Sequence, residues 1–344
     1  MLKQLMMLFI LVLMLEPYAL AQDACSLWSN PVIPQTGTNR EFVTDTTRRF
    51  EFSFNLMRSF EAFGGHSETK GLSTDGQVIQ ISPHHHSVSL RFLHFNMGLR
   101  YQLNPKLALS LAIPYTIKEQ TARVEWPDHH PTRSEREASQ RNGDIHHRNE
   151  TYTGLNDLSL LVTYKLASLL RTNDRLTLSA GLSLPTGKTE LDPWKLGDAG
   201  QKHLHLQFGN GTVIPMLECR YWLPITKSIV LQTTLVTRRP VYENRHKFLA
   251  SADTSFFLSA VFQPIELLRV RSSWMVSRQG FSYWDGRKDS NTGLRMNALV
   301  LGTNIGQQTQ LSTSLIVPIH QRMLASGDTF EHGMLLSSAL SRLF

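Results

Sequence analysis

Histidine is the residue type whose distribution in this sequence most strongly suggests chemistry. Ten of the fourteen histidines fall within or beside three segments that have no strand-like pattern. These ten are His66, His84, His85, His86, His129, His130, His146, His147, His203 and His205. Neutral imidazole is a good ligand for zinc, copper and nickel. Three segments that met at one place would therefore bring several metal ligands together, although the spacing matches no closed metal motif.

The metal hypothesis has a defined set of ligands and two alternatives. The candidate ligands are His84, His85, His86, His129, His130, His146 and His147. Asp75, Asp128 and Asp144 are carboxylates nearby that could orient the imidazoles or join them. The bound ion would be a divalent metal, zinc or copper, and no other cofactor is expected. The alternatives are a solvated polar tip, and a loop gate whose charge changes between about pH 5 and 7.

The elements that must carry these histidines are indicated by alternation of apolar and polar residues. Phe50, Phe52 and Phe54 alternate with polar residues, and residues 93–102 and 107–117 repeat the pattern over longer runs. Alternate residues of a transmembrane β-strand face lipid and lumen. We therefore predict an all-β chain that closes into a transmembrane antiparallel β-barrel of about 12 strands, of the outer-membrane type.

The predicted connections support the even number of strands. The strands are expected to begin near residues 50, 93, 107, 155, 175, 211, 228, 249, 266, 296, 309 and 333. Short turns then alternate with long connections at 63–86, 127–153, 188–210, 240–248, 279–295 and 322–332. Barrels of this type have short periplasmic turns and longer outer loops, so both ends of the barrel are predicted to be periplasmic.

The two ends of the sequence carry export signals. Lys3, the apolar run from Leu5 to Leu15 and the small residues around Ala21 predict a signal peptide over residues 1–21 that is removed by cleavage. A retained membrane helix is disfavoured because Glu16 interrupts the run well short of the roughly 20 residues that a span requires. The terminal Phe344 closes an alternating strand and resembles the signal read by the bacterial barrel assembly machinery.

Three regions follow from these signals. Residues 22–46 are expected to form a periplasmic segment and residues 47–344 the barrel, in the outer membrane of a Gram-negative bacterium. The net charge of +7 does not indicate a nucleic-acid partner, because the Lys and Arg residues are scattered and no recognition motif accompanies them. Cys25 and Cys219 are the two cysteines; pairing and independent thiols both remain open.

Two stretches in the middle of the chain resemble a known family. GLNDLSLLVTYKL at 154–166 and LSAGLSLPTGK at 178–188 are similar to the outer-membrane transporter-like family named for the meta-pathway of phenol degradation. The matching positions are Gly154, Asp157, Pro185, Thr186 and Gly187, whereas Asn156 stands where the family often has Gly. The resemblance implies a monomeric or small-oligomer barrel associated with uptake of hydrophobic or aromatic compounds.

The parity of the strands places a set of charged residues inside the barrel. These lumen residues are Arg100, Lys118, Lys165, Glu218, Arg220, Arg269 and Arg271. An excess of positive groups would favour anions, although any wet barrel interior is polar. We therefore expect a channel or facilitator for small, aromatic or anionic solutes, with the outer-membrane lipid as its surroundings. The alternatives are a metal-binding surface protein and a purely structural barrel.

An enzyme is not expected. Some outer-membrane barrels of twelve strands hydrolyse lipids, which requires a serine, a histidine and an orienting polar group held together. His94 and His320 lie in predicted strands, but no nucleophile motif indicates a partner serine. We therefore predict no catalytic residues.

Overall fold

The computed structural model describes residues 49–344 except 129, 206, 291 and 326–328. The predicted signal peptide, the segment 22–46 and Cys25 lie outside the described residues. No helix in the described part of the chain is long and apolar enough to cross a membrane.

The regular elements are eighteen strands and two helices within these residues. The strands are β1 (Phe50–Ser59), β2 (Ala62–Leu72), β3 (Val78–Asn104), β4 (Leu107–Glu125), β5 (Glu150–Leu155), β6 (Leu158–Ala167), β7 (Arg175–Leu184), β8 (Ile214–Pro224), β9 (Ile229–Arg238), β10 (Phe248–Leu249), β11 (Asp253–Ile265), β12 (Leu268–Gln279), β13 (Ser282–Trp284), β14 (Arg287–Asp289), β15 (Leu294–Ile305), β16 (Thr309–Met323), β17 (Thr329–His332) and β18 (Leu335–Leu343). The helices are α1 (Arg133–His146) and α2 (Pro193–Asp198).

Twelve antiparallel strands form a closed barrel. The order around the wall is β3, β1, β18, β16, β15, β12, β11, β9, β8, β7, β6 and β4, and the pairing of β4 with β3 closes the circle. β2, β5 and β17 continue the lines of β1, β6 and β18 beyond short breaks, whereas β10, β13 and β14 form a separate small sheet. The prediction of an all-β barrel of 12 strands is confirmed.

The outside of the barrel is apolar. Phe50, Phe52 and Phe54 on β1 are exposed, and so are Leu160 and Val162 on β6. Alternate residues such as Glu51 point inward and are buried. An exposed apolar band on a closed barrel is the surface that lipid requires. The outward positions of the three phenylalanines therefore agree with the predicted alternation.

The structure places regular secondary structure in several of the predicted loops, and two of them change most. Residues 63–86 are mainly strand, because β2 pairs with β3 as a long hairpin that turns at residues 73–77. β3 accordingly begins at Val78 and is 27 residues long, far upstream of the predicted start near residue 93. The predicted loop 127–153 contains helix α1. We call the end of the barrel where the long connections lie the long-loop end, and the opposite end the short-turn end. The β2–β3 hairpin extends the barrel at the long-loop end, and helix α1 covers it there.

Local sequence explains where α1 begins. Thr132 caps the helix by accepting from the backbone N–H of Glu135, and the Glu135 carboxylate accepts from the backbone N–H of Thr132. This reciprocal arrangement satisfies two N–H groups that a helix start leaves without partners. The same carboxylate accepts from the hydroxyl and the N–H of Ser82 on β3. The cap therefore also fastens α1 to the β2–β3 hairpin.

A proline marks a discontinuity in the wall. Pro114 lies inside β4, which is itself continuous. The neighbouring strand line is interrupted beside it: β4 pairs with β6 through Ala112 and with β5 from Tyr115 onward. Pro has no N–H to donate to a ladder. The interruption beside Pro114 thus falls in the partner strand line. Pro185 follows the last residue of β7 and marks a strand end.

Candidate functional site

The short-turn half of the lumen is lined by charged side chains. Arg100 forms an ion pair with Glu51 at 3.6 Å, and Glu218 and Arg100 both act electrostatically on Arg220. Arg271 lies near Arg220 and donates to the hydroxyl of Ser314 at 3.3 Å. These arginines occupy the inward positions that strand parity predicts for them.

Three other predicted lumen residues have separate environments. Arg269 donates to the side-chain oxygen of Gln263 at 3.3 Å, close to the turn between β11 and β12. Lys165 is half-buried on β6. Lys118 lies in the long-loop half, where its Nζ donates to the backbone oxygen of Gln207 at 2.7 Å. Lys118 therefore holds a loop rather than lining an open charged passage.

The long-loop half of the lumen, which we call the apolar half, holds two clusters of buried apolar side chains beside a few charged groups, namely Lys118 and the ion pair of Arg238 with Asp253. One cluster of buried side chains comprises Met57, Phe92, Phe257, Met275, Met296, Ala298, Val300, Ile316 and Leu335. A second comprises Ala62, Val88, Leu90, Tyr152, Leu204, Phe208, Leu294 and Phe330. The apolar side chains of the lumen are thus concentrated towards the long-loop end of the barrel.

Residues 203–205 and 207–210, which we call the inserted segment, supply part of the second cluster. Leu204 and Phe208 belong to this segment, and the remaining members of the cluster come from strands around the wall. The segment is fastened by Lys118, whose Nζ lies 4.9 Å from the centre of the Phe208 ring. The side-chain amide of Asn156 donates to the backbone oxygen of Phe208 at 3.0 Å. The inserted segment therefore occupies space within the apolar half of the lumen.

The family-motif residues meet at the base of this segment. Asp157 accepts from the N–H of Gly187 at 2.9 Å and from the N–H of Asn210 at 2.7 Å. Thr186 donates to the backbone oxygen of Asn156 at 3.2 Å and accepts from the N–H of Leu158 at 2.9 Å. These contacts join the β5–β6 break to both ends of the 187–210 loop. The motif thus positions the inserted segment.

Two glycines of this region are required by close packing. A Cβ on Gly154 would lie 3.0 Å from the Phe208 ring, and one on Gly187 would lie 2.6 Å from the Cα of Gly209. A side chain at Gly187 would have to displace the backbone of the inserted segment, whereas one at Gly154 would require the Phe208 ring to move by a few tenths of an ångström. Pro185 precedes these contacts at the end of β7.

The long-loop end holds a cluster of histidines. Side-chain nitrogens of His66, His86, His146 and His147 all lie within 4.8 Å of one another, and the first three residues are buried. His66 and His86 are paired residues of β2 and β3, and therefore share one face of the hairpin. His146 ends α1 and His147 follows it. We call these four residues the histidine centre.

Three further histidines surround this centre. The ring of His203 stacks on that of His146 at 5.6 Å, and His205 lies 6.1 Å from His147. His84 lies 4.9 Å from His86 and stacks on Trp126 at 4.8 Å. The seven rings form one continuous group between the hairpin, α1 and the inserted segment.

Backbone carbonyls set the protonation of several of these rings. Nδ1 of His146 lies 2.6 Å from the backbone oxygen of Asn142, and Nδ1 of His203 lies 2.7 Å from that of Gln201. A carbonyl oxygen only accepts, so Nδ1 must carry the proton and Nε2 is left with its lone pair. Burial lowers the pKa of His146 and His147 well below the ordinary value, and the neighbouring histidines act in the same direction. The imidazoles of His146 and His147 are therefore neutral at pH 7.

The predicted ligand set is only partly brought together. His84, His86, His146 and His147 belong to the group, but His85 lies on the opposite face of β3, beside Gly65. His130 is exposed, and His129 lies outside the described residues. The prediction of three adjacent ligands at 84–86 fails for His85 because successive side chains of a strand point to opposite faces.

The predicted carboxylate partners lie elsewhere. Asp75 accepts from Ser73 within the hairpin turn, and Asp144 accepts from Gln140 on α1. Backbone carbonyls, rather than these carboxylates, contact the imidazole nitrogens. The group also contains three histidines from outside the predicted ligand set, namely His66, His203 and His205. A register that pairs His66 with His86 is the signal that identifies the first of them.

The fold and its lumen define a closed, 12-stranded barrel of the outer-membrane type. Among solved structures it is similar to an outer-membrane channel from Pseudomonas putida F1, with 14% sequence identity over 85% of this chain and 95% of that chain, at a TM-score of 0.52. Weaker similarity is found to the toluene transporter TbuX from Ralstonia pickettii, with 8% identity, 86% and 90% coverage and a TM-score of 0.38. The toluene transporter TodX from P. putida gives 8% identity, 86% and 90% coverage and a TM-score of 0.40.

The first of these similarities supports the barrel architecture. No protein-family model matches the sequence, and a search of curated proteins gave no match. The resemblance to the phenol meta-pathway family therefore rests on the motif residues, from Gly154 to Gly187, which hold the base of the inserted segment.

Proposed function

We propose that this protein is a channel of the bacterial outer membrane for small apolar compounds, with aromatic carboxylates as its best-matched solutes. The observation that carries the proposal is the two-part lumen. An apolar half that holds Leu204 and Phe208 of the inserted segment is followed by a half that contains Arg100, Arg220 and Arg271.

The apolar half offers a place for an aromatic solute. Phe208 packs there among side chains contributed by β2, β3, β5, β15 and β17. Burying an aromatic ring removes roughly 150–250 Å² of surface from water. An aromatic solute that displaced Phe208 would make the same apolar contacts with the surrounding side chains. In this proposal, displacement of the inserted segment opens the passage.

The charged half favours a negative group on the solute. Arg220 interacts with Glu218 and Arg100 pairs with Glu51, so that with Arg271 the three arginines exceed the two glutamates by one positive charge. Rings of Arg and Lys favour anions in pores. A solute with an aromatic ring and a carboxylate matches both halves of the lumen: the ring suits the apolar half, which the solute meets first, and the carboxylate suits the arginines beyond it.

The rest of the proposal concerns location and partners. The apolar outer surface suits lipid contact, and the fold is similar to that of an outer-membrane channel. In this arrangement the short-turn end faces the periplasm and the histidine centre faces the outside. Assembly would use the barrel assembly machinery after signal-peptide cleavage. The proposed activity is passive transport, without a catalytic step.

Solute flux into liposomes tests the proposal. Purified protein is reconstituted, and the entry of benzoate, benzyl alcohol and benzylamine is compared with protein-free liposomes. We expect benzoate to enter fastest and benzylamine slowest. Phe208→Ala should raise the flux of all three, because the inserted segment loses its largest apolar contact. Arg271→Gln should reduce the preference for benzoate, whereas Arg133→Gln, an exposed change on α1, should leave the preference unchanged.

Two results would contradict this function. Flux that never exceeds protein-free liposomes, in both the wild-type protein and Phe208→Ala, would indicate a structural or adhesive barrel. Equal flux of the three solutes through the wild-type protein would reject the proposed role of the arginines. A preference for benzoate that is unchanged in Arg271→Gln would reject it as well.

A further inference from the structure

The histidine centre has the composition and geometry of a transition-metal site. We propose that His66, His86, His146 and His147 bind one divalent ion of the zinc and copper class, and that this ion fastens α1 to the β2–β3 hairpin. The proposal does not depend on the channel function, because the centre lies at the long-loop end, beyond the charged half of the lumen.

The four side chains converge from separate parts of the sequence. His66 comes from β2 and His86 from β3, whereas His146 and His147 end α1. Their nearest nitrogens lie within 4.8 Å of one another. A tetrahedral zinc ion with Zn–N distances of about 2.0–2.1 Å requires nitrogens roughly 3.4 Å apart. The widest separation must therefore shorten by roughly 1.4 Å, a shift that ring rotation can supply.

Nitrogens without a protein partner face the centre. His86 is only 1% exposed, and both of its ring nitrogens are buried without a hydrogen-bond partner. Buried polar atoms are normally satisfied, and leaving one without a partner costs about 1–3 kcal/mol. Coordination to a metal ion would satisfy one of these nitrogens directly.

His146 is oriented in the way metal ligands are. Its Nδ1 donates to the backbone oxygen of Asn142 at 2.6 Å, which fixes the ring and directs the Nε2 lone pair away from α1. Metal-binding histidines almost always donate their other N–H to a carbonyl or carboxylate. His84 and His203 at the edge of the group make the same kind of contact, with Ser82 and Gln201.

The donor set selects the class of metal. All four ligands are imidazoles, and the group contains no carboxylate. Calcium and magnesium prefer oxygen ligands, whereas imidazole suits zinc, copper and nickel.

Bound metal would cross-link the cover of the barrel. α1 is already fastened to the hairpin by hydrogen bonds from Arg141 to the Leu72 oxygen and from Asn142 to the Lys70 oxygen. A ligand that binds the folded state stabilises it by mass action. Metal should therefore protect α1 and the adjoining residues from proteolysis, and chelation should expose them.

The test uses full-length protein purified through a tag that contains no histidine. After treatment with a chelator, zinc and copper are titrated by calorimetry, with magnesium and calcium as comparison ions. We expect about one zinc or copper ion per chain and no binding of magnesium or calcium. His86→Gln and His146→Gln should weaken binding at least tenfold. His85→Gln and His130→Gln, which lie outside the centre, should bind as the wild-type protein does.

Folding is checked separately, because a buried substitution can disturb assembly. Each variant is compared by circular dichroism and by its migration on gels before and after heating. X-ray absorption on zinc-loaded wild-type protein gives a result that needs no variant, and nitrogen neighbours at about 2.0–2.1 Å are expected. No bound zinc or copper in the wild-type protein would overturn the proposal. So would oxygen-dominated coordination, or an equal loss of affinity in His85→Gln.

Discussion

The carboxylate of Asp157 accepts two hydrogen bonds from Asn210, one from its backbone N–H at 2.7 Å and one from its side-chain amide at 3.1 Å. The two residues are 53 positions apart. Asp157 lies in the break between β5 and β6, and Asn210 ends the inserted segment. A wall irregularity thus serves as the attachment point for the segment that fills the apolar half of the lumen.

Asp157→Ala should release one end of the inserted segment. Hydrogen bonds to charged groups contribute about 1.5–3 kcal/mol each, and the carboxylate also accepts from Gly187. We expect faster proteolysis within residues 187–210 and faster solute flux than in the wild-type protein. Asp144→Ala, which removes a carboxylate bonded to Gln140 on α1, is the matched control. Unchanged proteolysis in Asp157→Ala would contradict this role.

Lys118→Met should loosen the same segment from the opposite side. The variant keeps the apolar stem but loses the bond to the Gln207 oxygen at 2.7 Å and the charge near the Phe208 ring. A loss of about 1.5–3 kcal/mol corresponds to roughly a tenfold or greater rise in the detached population. Benzoate efflux from loaded liposomes measures it. Lys165→Met, on β6, should show no such rise.

The number of strands was predictable because the lipid requires every second residue of a membrane-spanning strand to be apolar. Phe50, Phe52 and Phe54 alternate with inward polar residues, and the rule repeats around the wall. The β2–β3 hairpin escaped prediction because it extends beyond the apolar band, where neither face must be apolar throughout. His66, His84 and His86 then occupy a buried face that hydropathy would not identify.

A gathering of loop histidines was predictable from the sequence, but not which of them would meet. The abundance of loop histidines indicates metal chemistry, yet the choice between His85 and His66 depends on β-register. No such register exists if residues 63–86 are a loop, as their hydropathy predicts. The insertion of Phe208 was likewise unpredictable, because Lys118 and Asn156 hold it across 89 and 52 residues of sequence. Contacts between residues so far apart in the sequence produce no periodic pattern from which they could be predicted.

Asp174 should make barrel stability depend on pH below about 4. Its carboxylate accepts from the N–H groups of Leu169, Leu170 and Arg171 and from the hydroxyl of Tyr221. Burial away from water acts to raise the pKa of Asp174, but the hydrogen bonds outweigh this effect. They lower the pKa to about 2 in the folded protein. Because the folded pKa lies below the unfolded value of about 3.9, the stabilisation is complete above that value and is lost as the pH falls towards 2.

Thermal melting in detergent between pH 2 and 6 measures this contribution. Asp174→Asn should melt at a lower temperature than the wild-type protein at pH 6, and the difference should narrow towards pH 2. Asp128→Asn, an exposed change in the connection after β4, provides the comparison. A difference that stays constant over the whole range would contradict the role assigned to Asp174.

Two glycines near α1 should respond in opposite directions to alanine. Gly143 lies within α1, and a Cβ there meets nothing within 4 Å. Gly143→Ala should stabilise the helix by about 0.8–1 kcal/mol, because glycine is a poor helix former. A Cβ on Gly71 would lie 2.9 Å from the Cβ of Ala138, so Gly71→Ala should push α1 away from β2. Hydrogen exchange of α1 should slow in the first variant and quicken in the second; the same change in both would contradict the packing described.

Gly181 should tolerate alanine less well than Gly98, although both glycines lie in strands of the barrel wall. A Cβ at Gly181 of β7 would overlap the backbone oxygen of Leu160 on β6, which cannot move without breaking the ladder between the two strands. At Gly98 on β3 the obstacle is instead the hydroxyl of Ser53, which can rotate away. Gly181→Ala should therefore reduce the yield of folded barrel severalfold, whereas Gly98→Ala should lower the melting temperature slightly. Heat-dependent gel migration distinguishes folded from unfolded barrels, and equal yields from the two variants would refute the close approach of β6 and β7 at Gly181.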